Sequence, residues 1–151
     1  MELQDAYYWS QIILTIIAAA AAIAAYIQLQ TFKRFELLKI LQDEATHEAR
    51  RKVFREIKLL KGTEWWSDDK LEDIAVKVCA TYDLAGIIAK GRNRAFFVKH
   101  WGYSVCATYE ILIEYLDWRR KNSRSTFLGY SKLYKAAQKH HPEALRHAAP
   151  N

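Results

Sequence analysis

Turn-forming residues are scarce. Five glycines and two prolines occur in 151 residues, and Pro150 is the next-to-last residue. That scarcity argues against the many tight turns of an all-β fold. Cysteine is scarcer still. Cys79 and Cys106 lie 27 positions apart, which makes neither a CxxC pair nor a disulfide framework. Both fall in apolar helical patterns and read as buried, reduced thiols, which fits a cytoplasmic domain. The glycines are scattered and form neither GxGxxG nor GxxxxGK, so the common phosphate-cradling loops are missing. Charge is missing altogether from residues 6 to 32.

What is present is a foldable chain. Half of it is hydrophobic (51%) and 13% is aromatic, which excludes intrinsic disorder. The net charge is +6. Glu2 and Asp5 are the only charges before Lys33, so residues 33–151 carry 23 basic and 15 acidic side chains, a balance of +8. A basic domain has three standard readings: excess lysine that keeps it soluble, an anionic lipid surface, or nucleic acid.

Residues 12 to 27 are apolar apart from Thr15. About 20 helical residues cross a bilayer's hydrocarbon core, so the uncharged stretch is long enough. Tyr7, Tyr8 and Trp9 provide an aromatic belt at one end, and Tyr26 and Phe32 at the other. A buried core helix is the competing reading, because residues 18 to 22 are all alanine and only weakly apolar. A cleaved signal peptide would want positive charge before the apolar stretch, and Glu2 and Asp5 stand there instead. Lys33, Arg34 and Lys39 follow the stretch, which places the N-terminus outside and the remainder in the cytoplasm. Ala18 with Ala22, and Ala21 with Ala25, give the small-residue spacing that lets two helices approach, so a homo-oligomer or other protein partner is expected.

The sequence therefore predicts an all-α chain in three parts. Residues 1–32 form the N-terminal segment and transmembrane anchor. Residues 33–142 form a basic cytoplasmic bundle of four to five helices. Residues 143–151 form a flexible tail. Leu37, Leu38 and Leu41 continue the helical spacing, and two readings follow: one unbroken helix, or a bend at residues 42–44 where Asp43 ends one segment and caps the next. The basic segment runs to Lys61 with Gly62 as its stop. Ser67 is the predicted cap of a helix carrying Leu71, Ile74, Val78 and Tyr82. Asn93 opens a helix reaching Trp101, a long helix spans about 103–121, and Thr126 caps the last helix, which closes before Pro142.

This layout resembles an uncharacterised bacterial family of single-pass, membrane-anchored proteins with a small helical domain. The matching features are the anchor, Glu48-Ala49-Arg50-Arg51, and Tyr82-Asp83-Leu84-Ala85-Gly86. Trp101 before a long helix, and a closing helix with Phe127 and Leu133, complete them. The resemblance implies the architecture and the bacterial inner membrane. It implies no chemistry.

Candidate sites follow from residue type. Arg50, Arg51, Arg55, Lys58 and Lys61 would span about 140° of one helix and could meet anionic lipid or an acidic partner. Trp9, Trp65 and Trp66 are candidate interfacial aromatics, with at least one of Trp65 and Trp66 expected in the core. Glu44 and His47 make a single Glu-x-x-His pair, whereas a di-iron bundle needs two, and Glu110 and Glu114 share a helix face. No metal or other cofactor is therefore expected. His140 and His141 read as a helix-end cap. Tyr82, Asp83, His100 and Glu110 are the polar residues that a site inside the bundle would use. The favoured function is a membrane-anchored interaction or scaffold module. The alternative is a membrane-tethered enzyme or ligand sensor with its site inside the bundle. Nucleic-acid binding ranks below both.

Overall fold

The computed structural model describes residues 2–123 and 126–144, with side chains from residue 6 onward. Among these residues there are six α-helices and no strand. They are α1 (Glu2–Gln42), α2 (Glu44–Arg55), α3 (Asp69–Ile88), α4 (Arg92–Ile111), α5 (Ile113–Asn122) and α6 (Leu128–Gln138). Short 3-10 turns cover Ile57–Leu60 and Trp65–Ser67. The chain divides into two units, Met1–Phe35 and Glu36–Asn151.

In the first unit, α1 exposes every described residue from 6 to 29. It is the one described helix long and apolar enough to cross a membrane, and none of its most apolar window is buried. Its hydroxyls turn back onto their own backbone: Ser10 to Tyr7 O, Thr15 to Gln11 O and Thr31 to Ile27 O, at 2.7–3.0 Å. These bonds satisfy the polar side chains inside the helix. The side chains of Glu2 and Asp5 lie outside the description.

The second unit takes in the end of α1. Leu37 and Leu41 are buried there, so the core begins before α2. Asp43 ends α1 and caps α2, accepting the Thr46 N–H at 2.9 Å and the Thr46 hydroxyl at 3.0 Å. The Thr46 hydroxyl, then its amide, hold the Asp43 carboxyl below its usual range. α2 stops at Arg55 rather than continuing to Lys61. The chain tightens into the 3-10 turn, which sends Ile57 fully into the core. The turn is fixed by Thr63 Oγ1 donating to Leu60 O at 2.6 Å and by Gly62 N–H donating to Glu114 at 3.0 Å.

α3 is capped by Asp68, which accepts the Lys70 N–H, while Ser67 donates to Glu64 O instead. Asp69 and Glu72 sit in its first turn, where the helix dipole favours negative charge. α4 passes straight through Gly102. A Cβ there would stand 2.5 Å from the His141 ring, so the bare Cα is a seat for that ring and not a helix break. The break falls at Leu112, between α4 and α5. Thr126 does not cap α6. Phe127 takes the left-handed conformation (φ 54°), and Asp83, on α3, accepts the Tyr130 N–H at 3.1 Å and so caps α6 from another helix.

α3 packs against α6 and α2, and α4 packs against α6. The α3–α6 crossing is closest at Gly86 and Gly129, where any side chain would strike the opposing backbone. Between the helices lie Val53, Val78, Tyr82, Phe97, Val105, Tyr115, Tyr130 and Leu133, all fully buried. Ala144, past Pro142, is buried as well. Residues 145–151, most of the expected tail, lie outside the described residues.

Candidate functional site

The basic residues following α1 divide between two elements. Arg50, Arg51 and Arg55 are on α2, Lys58 is on the 3-10 turn after it, and Lys61 caps the end of that turn. The 140° arc therefore holds only for the first three. Arg50 is half-buried and donates Nη2–H to the Leu41 carbonyl at 2.8 Å, which satisfies one of the orphan carbonyls at the end of α1. Arg51 and Arg55 are exposed. Arg50 and Arg51 line a cleft of about 340 Å³ with His47, Phe54, Trp101 and Ser104. On the turn, Leu59 is 82% exposed between Lys58 and Lys61.

The tryptophans take three different positions. Trp9 is exposed on α1. Trp65 is in the core at 5% exposure, packed edge-on to Trp66 and against Tyr115, and so presents no surface to lipid. Trp66 is half-buried and stacks on Trp118. Arg119 ties this aromatic corner to α3: it donates to the Tyr115 hydroxyl at 2.8 Å and pairs with Glu72 at 3.3 Å. Burial pushes the Tyr115 phenol up to about 12.

Tyr82, Asp83, His100 and Glu110 do not meet around one space. Tyr82 is buried and bonds Ser104 at 2.7 Å. Asp83 caps α6. Glu110 accepts the Tyr134 hydroxyl. His100 is exposed against Phe96 and Trp101. What joins the first two and Glu110 is a run of tyrosines that spacing alone did not reveal. Tyr82 stacks on Tyr130, Tyr130 meets Tyr109 edge-on, and Tyr109 stacks on Tyr134. Each phenol has a polar partner: Tyr130 bonds Thr108 at 2.8 Å, and Tyr109 accepts from Arg120 at 2.8 Å. Burial raises the Tyr130 phenol well above its usual value, and burial followed by Glu110 raises Tyr134. Tyr130 and Tyr134 are neutral structural groups, not acids poised near pH 7.

The cysteines are reduced and buried, and burial pushes both thiols up, Cys106 to about 11. Neither is an activated nucleophile. Among the described residues no three His, Cys, Asp or Glu side chains gather to hold a metal ion. Glu44 and His47 are both exposed. Glu110 and Glu114 fall on different helices and bond different partners, Tyr134 and the Gly62 N–H. His141 contacts Val98 O and Glu143, each at 3.1 Å. Comparison with protein-family models, curated proteins and solved structures gives no match.

Proposed function

We propose that this chain is a single-pass protein of the bacterial cytoplasmic membrane, N-terminus outside, whose helical domain works as an interaction or scaffold module at the inner surface. The observation that carries the reading is the exposure of α1. Residues 6 to 29, about 36 Å of helix, are uncharged, mostly apolar and uncovered, against roughly 30 Å of hydrocarbon. An apolar surface of that length is stable only under lipid or another apolar surface. The hydroxyls bonded back to the helix suit a medium that offers no partners. The acidic flank before the stretch and the basic flank after it support the orientation.

Arg51, Arg55, Lys58 and Lys61 lie within 30 residues of Lys33, so the tether keeps them near the headgroups. Each Lys or Arg at an anionic surface contributes on the order of 1 kcal/mol. Leu59 among them is an apolar tip that can enter the lipid interface, which favours anionic lipid over nucleic acid as the partner. A protein partner or a second copy of the chain would meet the domain on the same membrane surface.

The test is membrane extraction with thiol labelling. The chain should resist an alkaline wash. With Ala6→Cys, an impermeant thiol reagent should label intact cells. With Ala80→Cys, it should label only after permeabilisation. Cys79 and Cys106, being buried, should stay silent in both. Release by the wash overturns the membrane reading, and the reverse labelling pattern overturns the orientation.

A further inference from the structure

A second cleft lies away from α2, where α3, α4 and α6 meet. It measures about 360 Å³, and Lys90, Arg94 and Lys132 line it together with the carboxylate of Asp83. Four charged side chains, three from α3, α4 and α6 and one from the α3–α4 connector, surround one cavity and need an explanation, because three of them carry the same sign. Asp83 is occupied: its Oδ1 accepts the Tyr130 N–H and caps α6, so its charge serves the fold. Arg94 is oriented by its Nε–H, which donates to the Ala89 carbonyl at 3.1 Å. Lys90 and Lys132 are exposed and come from different segments, one just before α4 and the other from α6. The walls are completed by Ile87 and Leu128, about half exposed. Gly86 and Gly129 line it as well, at the tight α3–α6 crossing.

We propose that this cleft binds a phosphoryl group carried on a small, partly apolar body. The local balance is three cations against one committed carboxylate. A phosphate monoester carries about −1.5 to −2 at neutral pH, which fits that surplus better than a single carboxylate. Arginine and lysine supply the planar fork and point charges that phosphate oxygens accept. The cavity is at the lower end of small-ligand sites, roughly 300–1,000 Å³, so there is room for a few atoms beyond the phosphate against Ile87 and Leu128. The site is separate from the lipid-facing residues proposed above and does not depend on where α1 resides. The same phosphoryl chemistry could reach it on a soluble ester or on a phospholipid headgroup.

The experiment uses the full chain in zwitterionic detergent, titrated calorimetrically with glycerol 3-phosphate at fixed ionic strength. Binding should be saturable. Lys90→Ala with Lys132→Ala should weaken it about tenfold or more, while Arg51→Ala with Arg55→Ala should leave it unchanged. A second arm measures acylation of individual lysines by mass spectrometry in phosphatidylcholine nanodiscs with added glycerol 3-phosphate, and in phosphatidic acid nanodiscs without it. Slowed acylation of Lys90 and Lys132, relative to exposed Lys121 and Lys135, in the first setting identifies a soluble source. The same protection in the second alone identifies a lipid source. Equal binding by the double lysine variant, or no selective protection of Lys90 and Lys132 in either setting, overturns the proposal.

Discussion

Arg50 donates a hydrogen bond from Nη2 to the backbone carbonyl of Leu41, 2.8 Å away, across the Asp43 break. One of the five cations read as a binding face is thus engaged within the fold. Arg50→Ala should lower the melting temperature of the domain, by about 1 kcal/mol of stability, because it leaves a helix-end carbonyl without its donor. Arg51→Ala and Arg55→Ala should leave melting unchanged. Co-flotation of residues 36–151 with anionic liposomes should show the converse. Arg51→Glu with Arg55→Glu should reduce recovery, and high salt should do the same, since the Debye length falls to about 3 Å at 1 M. Equal recovery on neutral and anionic liposomes would remove the lipid contact.

Leu37 and Leu41 belong to the core although they lie in α1. A fragment of residues 36–151 should therefore be more stable than one of residues 44–151. Fully burying a leucine contributes about 1.5–3 kcal/mol, so losing two costs about 3–6 kcal/mol. Urea unfolding of the two fragments measures the difference. Identical midpoints would mean that α1 contributes nothing to the core.

Gly86→Ala and Gly129→Ala should each destabilise the domain more than an ordinary core overpacking, which costs about 1–3 kcal/mol. The added carbon meets backbone on the opposing helix, and backbone cannot turn aside as a side chain can. Gly102→Ala meets the imidazole of His141 instead and should cost less. Thermal melts of the three variants give the ranking.

Alkaline pH should unfold the domain. Tyr115 is raised from its usual 10 to about 12, and Cys106 from 9 to about 11. The folded values lie above the unfolded ones, so this stability is fully present below pH 9 and is lost as pH rises through 11 and 12. Tyrosinate absorbance should show Tyr115, Tyr130 and Tyr134 ionising well above 10, together with loss of helix. A single tyrosine transition near 10 with helix intact would contradict the buried assignment.

The sequence made the helices legible more readily than their joints. Asp43 was readable as one of two possibilities, a cap or part of an unbroken helix, and the donor three residues on, Thr46, makes it a cap. The start of α6 was not, because its cap is Asp83, 47 positions away, and no local pattern encodes a partner on another helix. Gly102 reads from sequence as either a break or a tolerated glycine, and what decides is the His141 ring that arrives from beyond α6. The α4–α5 break at Leu112 has no glycine or proline to announce it. The polar residues of the site followed the same division. Arg50 and Arg51 were visible as charge on a helix. The tyrosine run through Tyr82, Tyr130, Tyr109 and Tyr134 arises only when α3, α4 and α6 pack, and its members are spread over more than 50 positions.

The crossing of Gly86 and Gly129 also sets an order of events. The segment that completes the hydrophobic interior is the last described helix, and it must meet a helix some 40 residues earlier before either is covered. Such a long-range closure is slow compared with helix formation, and it cannot start until α6 has been synthesised. A nascent chain halted before Leu128 would carry the five helices α1 to α5, with the faces of Tyr82, Thr108 and Tyr109 open to water. For that interval the partly made domain is a client for chaperones and a substrate for proteases, and premature termination there should yield degradation rather than a shortened, working protein.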